Sequence, residues 1–474
     1  MMYEGFFKLH YSVKKISLFL LCALFAFQSA TFAQNSTNSA QKTRIKISKH
    51  KSSEIEKTFV LSPYWENYSD DILNGYINEA LNNNFTIKIA QDRIRQSQAL
   101  LGTINAQRLP QLSINPSVYP FKTMSKYSGI YASGDHLYLP MLLNWELDVF
   151  GKNLDKVKSA RYQVKITTEQ LNITKLAISS EVAATYYNII LTNELIKNNE
   201  EILSNINETL KLKKQLYKGG IIPYDNLYLT EYEKTNKQNE LNKLYKQKEI
   251  LNNEFAVLRG LSPDNNENLK FTKISDIKFP FPVSAEINSD LMFNRPDILQ
   301  SEDEIKKAAM DVKVARKMFL PSVNLNESVG FEALRLSRLF DWQSTVYQLG
   351  AGMLMDLYTG GYKKSYLKYN KEIATEKLHN YNNVILNAVC EVENELSSYK
   401  TDYNSYLEFQ KTLKNSEHYY KVAHTRYNNG VGNKIDELDA RRQYLINENS
   451  LVSSKTASII DTVNIYKAFG STIK

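Results

Sequence analysis

The residues whose types and spacing most suggest chemistry follow the turn YNNGVGNK: Ile435, Asp436 and Asp439. At i, i+1 and i+4 of a helix, Ile435 and Asp439 share one face. Repeated about the axis of an oligomer, Asp439 would make a ring of carboxylates with an apolar ring of Ile435 beside it. Such a pair of rings binds cations and excludes water. The plainer reading is that these acids are solvated residues near a helix start, where the dipole favours negative charge. Other candidates are weaker. Glu391 and Glu393 stand on a long helical pattern where solvation or ion pairing is the commoner role, and the six histidines are widely scattered. The sequence contains no GxGxxG after a strand, no GxxxxGK[ST], no HExxH and no GxSxG. No catalytic residue, metal site or cofactor is expected.

With 43% hydrophobic and 23% charged residues in 474, the chain falls in the globular range, not the disordered one. Its formal charge of +8 is spread among acids along helical segments, as on solvated helix faces, and no nucleic-acid partner is expected. At the N-terminus Lys8, Lys14 and Lys15 precede the apolar run ISLFLLCALFAF and then SATFAQ. That order predicts a signal peptide over 1–33, with cleavage after Ala33 and a mature start at Gln34, then a flexible segment over 34–62. The run is too short to span a bilayer, and no other stretch reaches the roughly 18 apolar residues a transmembrane helix needs. A mature membrane protein of this sequence could therefore cross only as a barrel. Cys22 lacks the small residues that precede a lipidation site and reads as part of the signal core. With that segment removed only Cys390 remains, so neither an internal disulfide nor a cysteine metal site is available.

The chain is internally duplicated. Residues 83–115 lie over 294–326 at a shift of 211, which matches Leu109-Pro110 with Leu320-Pro321. At nearly the same shift Glu181-Val182 meets Glu391-Val392 and the turn at 217–220 meets that at 427–430. Asp225-Asn226-Leu227 then pairs with Asp436-Glu437-Leu438. The expected domains are a first repeat over 63–260, a proline-containing linker over 261–290 and a second repeat over 291–474.

Each repeat must position its residues with the same parts. A first helix ends before Leu-Pro, where extended chain begins. PQLSINPSV and PSVNLNESVGF then alternate apolar with polar residues, and LNWELDVFGK (142–151) and GMLMDLYTGG (352–361) do so again, ending at Asp148 and Asp356. In the first of these later stretches Leu143, Trp145, Leu147 and Val149 share one parity against Asn144, Glu146 and Asp148. That makes two strands per repeat and four per chain. From Asn153 to about Lys218, and from Tyr362 to about Tyr427, the helical pattern is unbroken, and some 65 residues would make a rod of roughly 100 Å. Leu171, Ile178, Val182, Tyr186 and Ile190 recur as coiled-coil-like packing requires. Four strands with open edges cannot stand alone in lipid, and membrane barrels need at least about eight. Other copies must supply the remainder.

The sequence resembles the TolC-like outer-membrane efflux channels, and within them the outer-membrane components of resistance-nodulation-division (RND) pumps. The motifs that carry the resemblance are YWENYSDDILNGYINEALNNN, WELDVFGK, FNRPDI, RYNNGVGNKIDELDARRQYL and IYKAFG, in that order over almost all of the mature chain. The resemblance implies a mainly α fold with a membrane β-barrel: a homotrimer with a twelve-stranded barrel among outer-membrane lipids and a long helical barrel crossing the periplasm. It also implies a passive duct served by a periplasmic adaptor (membrane fusion) protein and an inner-membrane RND-type transporter, the pump choosing the exported compound. In the family, the residues matching Ile435 and Asp439 line the constriction of the periplasmic entrance, with Asp436 beside them. The adaptor-facing hairpin tips would be Gly219, Gly220, Asp225, Asn429, Gly430 and Val431, and the strand-to-helix junctions Asp148, Gly151, Asp356 and Gly360. The lipid face would include Leu112, Ile114, Trp145, Leu147, Val323, Leu325, Met353 and Met355. Two features depart from the family: no cysteine stands at the expected mature start, so anchorage rests on the barrel, and GSTIK replaces a glycine-rich ending with tryptophan. The rival reading, a soluble periplasmic coiled-coil adaptor or structural protein, explains the rods but not strands apolar on one face.

Overall fold

The computed structural model describes residues 63–124, 131–265, 269–280 and 293–470. The expected signal peptide, the 34–62 segment, residues 266–268 and 281–290 of the linker and the last four residues, 471–474, lie outside the described residues. In chain order the elements are α1 (Asp71–Asn83), α2 (Phe85–Ala106), β1 (Gln111–Ile114), β2 (Ser117–Met124), β3 (Tyr131–Leu147), α3 (Lys152–Lys218) and α4 (Tyr224–Leu258). The second half follows with α5 (Pro296–Lys317), β4 (Ser322–Ala333), β5 (Thr345–Leu354), α6 (Tyr362–Asn428) and α7 (Lys434–Ala468). The duplication is exact in length: α2 and α5 have 22 residues, α3 and α6 have 67, and α4 and α7 have 35. Positive-φ glycines at 220 and 430, and at 260 and 470, fix the structural shift beyond the strands at 210. The sequence match of Asp225-Asn226-Leu227 at 211 is therefore one residue out. In the fold Ile435 corresponds to Asp225 and Asp439 to Leu229.

The chain divides into two compact units. One contains residues 103–159 and 305–380 and is built on an antiparallel sheet of order β1-β3-β4-β5, with β2 also paired to β3. The four strand runs are present, and the first is split where Pro116 offers no N–H to the ladder. The register puts Leu112 opposite Leu143, Ile114 opposite Met141, Trp145 opposite Leu325, and Leu147 opposite Val323. Val323 in turn faces Met353, so seven of the eight residues expected toward lipid share one face. Met355 stands one position beyond the end of β5. Glu327, opposite Leu143 and Leu349, interrupts the apolar row. The other face carries Asn144, Glu146, Asn324, Asn326 and Ser328.

The expected end of the second strand shifts at Asp148. Strand β3 stops at Leu147, and the Asp148 carboxylate accepts bonds from Asn153 N at 2.9 Å and Leu154 N at 2.7 Å. Its alternation with Glu146 is thus incidental. The side chain caps the first turn of α3, whose orphan N–H groups need an acceptor, while Val149 sits in the connecting turn. Gly151 and Gly361 take positive φ at the two junctions, a conformation an ordinary side chain resists. Gly360, expected at the second junction, does so too. Lys317 ties α5 to the first junction, donating to Gly151 O at 3.0 Å and to the buried Asp155 carboxylate at 2.6 Å. At the second, Lys363 pairs with Asp356 at 3.0 Å.

The other unit holds 63–102, 160–304 and 381–470 among the described residues. The YWENY segment is an aromatic plug: Tyr64, Trp65 and Tyr68 are buried, and Tyr64 stacks on Tyr466 at 5.4 Å. Asp70 caps α1 and receives the Tyr186 hydroxyl at 3.0 Å and the Thr272 hydroxyl at 2.9 Å, which anchors the linker stretch at 269–280. Burial pushes the Tyr64 phenol up to about 12. At the end of α4, Gly260 takes positive φ, and a Cβ there would come 2.6 Å from Asn83 O. Gly470 ends α7 in the same way, with Arg295 Cα 2.7 Å from such a Cβ. Gly260→Ala is expected to lose about 1–3 kcal/mol from backbone strain, and more from the contact. Gly220→Ala, with positive φ but open space around it, should lose the strain alone. Thermal midpoints read by helix signal compare them, and equal losses would show that Asn83 simply yields.

Candidate functional site

Both hairpin turns are built alike. In the first, Gly219 N donates to Gln215 O at 3.1 Å, Gly220 N to Tyr217 O at 2.9 Å and Ile221 N to Leu216 O at 2.9 Å. In the second, Asn429 N, Gly430 N and Val431 N repeat the pattern on Thr425, Tyr427 and Arg426, each at 3.0 Å. A residue in the left-handed region lets the last turn of α3 or α6 close on its own carbonyls. Asn433 then caps α7, accepting Ile435 N at 2.6 Å and Asp436 N at 3.0 Å. All six residues expected at the tips, Gly219, Gly220, Asp225, Asn429, Gly430 and Val431, are exposed. Ile221, which corresponds to Val431 at the structural shift, is exposed as well, and sequence reading missed it. An apolar side chain repeated at the same point of two turns was the signal.

The start of α7 carries the polar cluster. Ile435 is half-buried, Asp436 is exposed, and Asp439 lies one turn on from Ile435 on the same face. The Asp439 carboxylate is not bare: Arg442 Nη2 meets it at 2.5 Å. That guanidinium also reaches Glu233 on α4 at 3.1 Å and Asn205 Oδ1 on α3 at 3.3 Å. Asn205 Nδ2 in turn donates to Leu438 O at 2.9 Å. Arg441, its neighbour, pairs with Glu201 of α3 at 2.5 Å while lying over the rings of Tyr420 and Tyr444. Beneath them Ile202, Ile206 and Leu445 form a buried cluster. Two arginines thus clasp α7 to both helices of the first hairpin.

Glu437 holds the second turn to its own hairpin. The side chain is buried, with Lys434 at 2.8 Å and His424 Nδ1 at 2.5 Å. Burial pushes its carboxyl up, but the bonds from Lys434 and His424 outweigh that and hold it below the usual carboxylate range. The first hairpin has Leu227 at this place, also buried, so an apolar contact there stands where a charged one stands here. Neither Arg442 nor Glu437 was singled out in the sequence, because a lone arginine or glutamate on a charged helix carries no signal of its partner.

Of the remaining sequence candidates, Glu391 has a structural partner. Glu391 receives Arg295 at 2.7 Å, and Arg295 of the FNRPDI motif also pairs with Asp297 and donates to Ala468 O. Glu393 is exposed. Asp461, buried between helices beside Asp402 and Glu395, is pushed up to about 7 by burial and by those acids. Among the described residues no group of three or more His, Cys, Asp or Glu could hold a metal ion, and no helix is long and apolar enough to cross a membrane.

Comparison with known proteins bears on the chain as a whole. The model of the family described as outer membrane efflux protein matches residues 76–254 and 288–471, one match for each repeat. The cation efflux system protein CusC of Escherichia coli K12 is 22% identical over 410 residues, 85% of this chain and 87% of its own length. The solvent efflux pump outer membrane protein SrpC of Pseudomonas putida is 25% identical over 419 residues, 85% and 86% of the two chains. The CmeC outer membrane channel of Campylobacter jejuni superposes with a TM-score of 0.79 at 23% identity, covering 90% of this chain and 94% of that one.

Proposed function

We propose that this chain, which belongs to the outer membrane efflux protein family, works as one third of a trimeric duct. It is an outer-membrane efflux channel protein with two repeats. Three copies bring their sheets edge to edge, the apolar face of β1, β3, β4 and β5 turned to lipid and the polar face to water. The observation that carries this reading is the register, which lines up Ile114, Met141 and Val329 on one face and Asn144, Asn326 and Gly350 on the other. A sheet so divided and open at its edges asks for closure by further copies. The turns at 219–221 and 429–431 offer exposed apolar and glycine positions to a periplasmic adaptor, which links the duct to an inner-membrane transporter. The clasp of Arg442 on Glu233 and Asn205 holds the second hairpin in its closed position, with Ile435 and Asp439 narrowing the entrance. The ring at the entrance is then one of Asp439–Arg442 pairs, not of naked carboxylates.

Protein extracted from the outer-membrane fraction in mild detergent is expected to have the mass of three protomers and to form discrete conductances in planar bilayers. A monomer with native helix content would overturn the trimer. Recovery of the mature chain from the soluble periplasmic fraction would favour the coiled-coil adaptor reading instead.

A further inference from the structure

The loop between β4 and β5 reads LRLSRLFDWQS, residues 334–344, and it is unusually apolar for a chain reversal. Leu336 is 71% exposed, Phe340 69% and Trp342 84%. A cluster of such side chains rimmed by polar residues marks an interaction surface. The loop is nonetheless structured. Arg338 N donates to Arg335 O at 3.1 Å, Ser344 Oγ to Arg338 O at 2.7 Å, and Leu339 is buried beneath. The Phe340 ring packs edge-on against Phe331 at 5.5 Å. Phe331 is opposite Leu139 in the ladder, on the same face as Met141 and Val329. The aromatic part of the loop therefore continues the apolar face of the sheet and does not fold toward the polar one. Arg335 and Arg338 are exposed among these apolar residues, and neither pairs with a carboxylate among the described residues. Asp341 is the single acid of the loop against two guanidiniums.

We propose that this loop is a docking surface for the phosphate-bearing headgroups of membrane lipids, Arg335 and Arg338 taking the phosphates while Leu336, Phe340 and Trp342 enter the acyl boundary. The inference rests on the reading that this face of the sheet meets lipid. Tryptophan favours such a boundary because its ring is apolar and its N–H is polar. Guanidinium forks match phosphate oxygens in pairs. An edge-on contact between Phe340 and the outward-facing Phe331 holds both chemistries at one end of the apolar band.

The chain's tryptophans allow a test that separates the two readings. Trp145 lies on the sheet face and Trp342 in the loop, while Trp65 is buried in the other unit. The full protein would be reconstituted in phosphatidylcholine bilayers to which either brominated phosphatidylcholine or brominated, anionic phosphatidylglycerol is added, with the Trp342→Phe variant giving the loop signal by difference. Both Trp145 and Trp342 should be quenched, and the quenching of Trp342 should favour the anionic lipid on the order of tenfold for two arginines near the surface. Arg335→Gln with Arg338→Gln should abolish that preference and leave the quenching of Trp145 unchanged. Quenching of Trp145 without Trp342 would overturn the loop assignment alone, as would equal quenching of Trp342 by the two lipids. An unquenched Trp145 would overturn the lipid-facing sheet itself, and this inference with it.

Discussion

Met141→Arg is expected to cost about 2–4 kcal/mol per copy in the folded, membrane-embedded state, the cost of a cation on the lipid face of a barrel near its midplane. Met141 faces Ile114 on one side and Val329 on the other, in the middle of the apolar rows. No acid stands directly opposite to take up the charge, as Glu327 would for Leu143. Leu142→Arg, one residue along the chain, points to the other face between Ser113 and Ser328 and should be close to neutral. Leu147→Arg should cost less than Met141→Arg, because Leu147 is the last residue of β3 and stands at the strand's edge. Resistance of the assembled protein to heat and denaturant in detergent or bilayers provides the measure. A similar loss for Met141→Arg and Leu142→Arg would mean that the two faces are not divided between lipid and water.

The second large effect is expected at the entrance. Arg442→Ala removes the bonds to Asp439, Glu233 and Asn205 at once. Partly exposed ion pairs are each worth about 0.2–1 kcal/mol. The Asp439 bond lies within α7 and is kept in either state, so the two links that cross to α3 and α4 amount to about 0.4–2 kcal/mol, or about 2- to 30-fold in the ratio of open to closed entrances. Single-channel recordings of Arg442→Ala should therefore show larger or more frequent open conductance than the parent. Ile435→Ala together with Asp439→Ala should raise conductance as well, and it should weaken block by divalent or trivalent cations, which compete with Arg442 for the Asp439 carboxylate. Conductance and block unchanged in a correctly assembled trimer would remove Ile435, Asp439 and Arg442 from the gate.

Both effects depend on features the chain announces to different degrees. The limits of α3 and α6 were legible to within a residue or two, since Gly219-Gly220 and Asn429-Gly430 are local signals that stop a helix whatever lies around them. The two-faced strands were legible for the same reason, as a period of two needs no partner to be seen. The gate was legible only in part. Ile435 and Asp439 could be placed on one face by spacing, but the arginine that neutralises Asp439 also reaches Glu233 and Asn205, more than 200 residues away in sequence.

By itself, then, the sequence determined the duplication, the long helical hairpins and the parity that puts Leu112, Trp145, Val323 and Leu325 on one side, all properties of short-range order and periodic burial. Only the tertiary structure decided what individual polar residues do. Asp148 continued the alternation of Asn144 and Glu146 and yet turned out to cap α3, because the strand ends one residue earlier and free N–H groups lie within reach. Asp70 became the acceptor for Tyr186 and Thr272, and Glu437 the anchor of a hairpin whose counterpart uses Leu227. The one-residue correction of the repeat beyond the turns has the same origin. Matching letters favoured a shift of 211, but the positions of buried side chains and left-handed glycines, set by packing between helices, require 210.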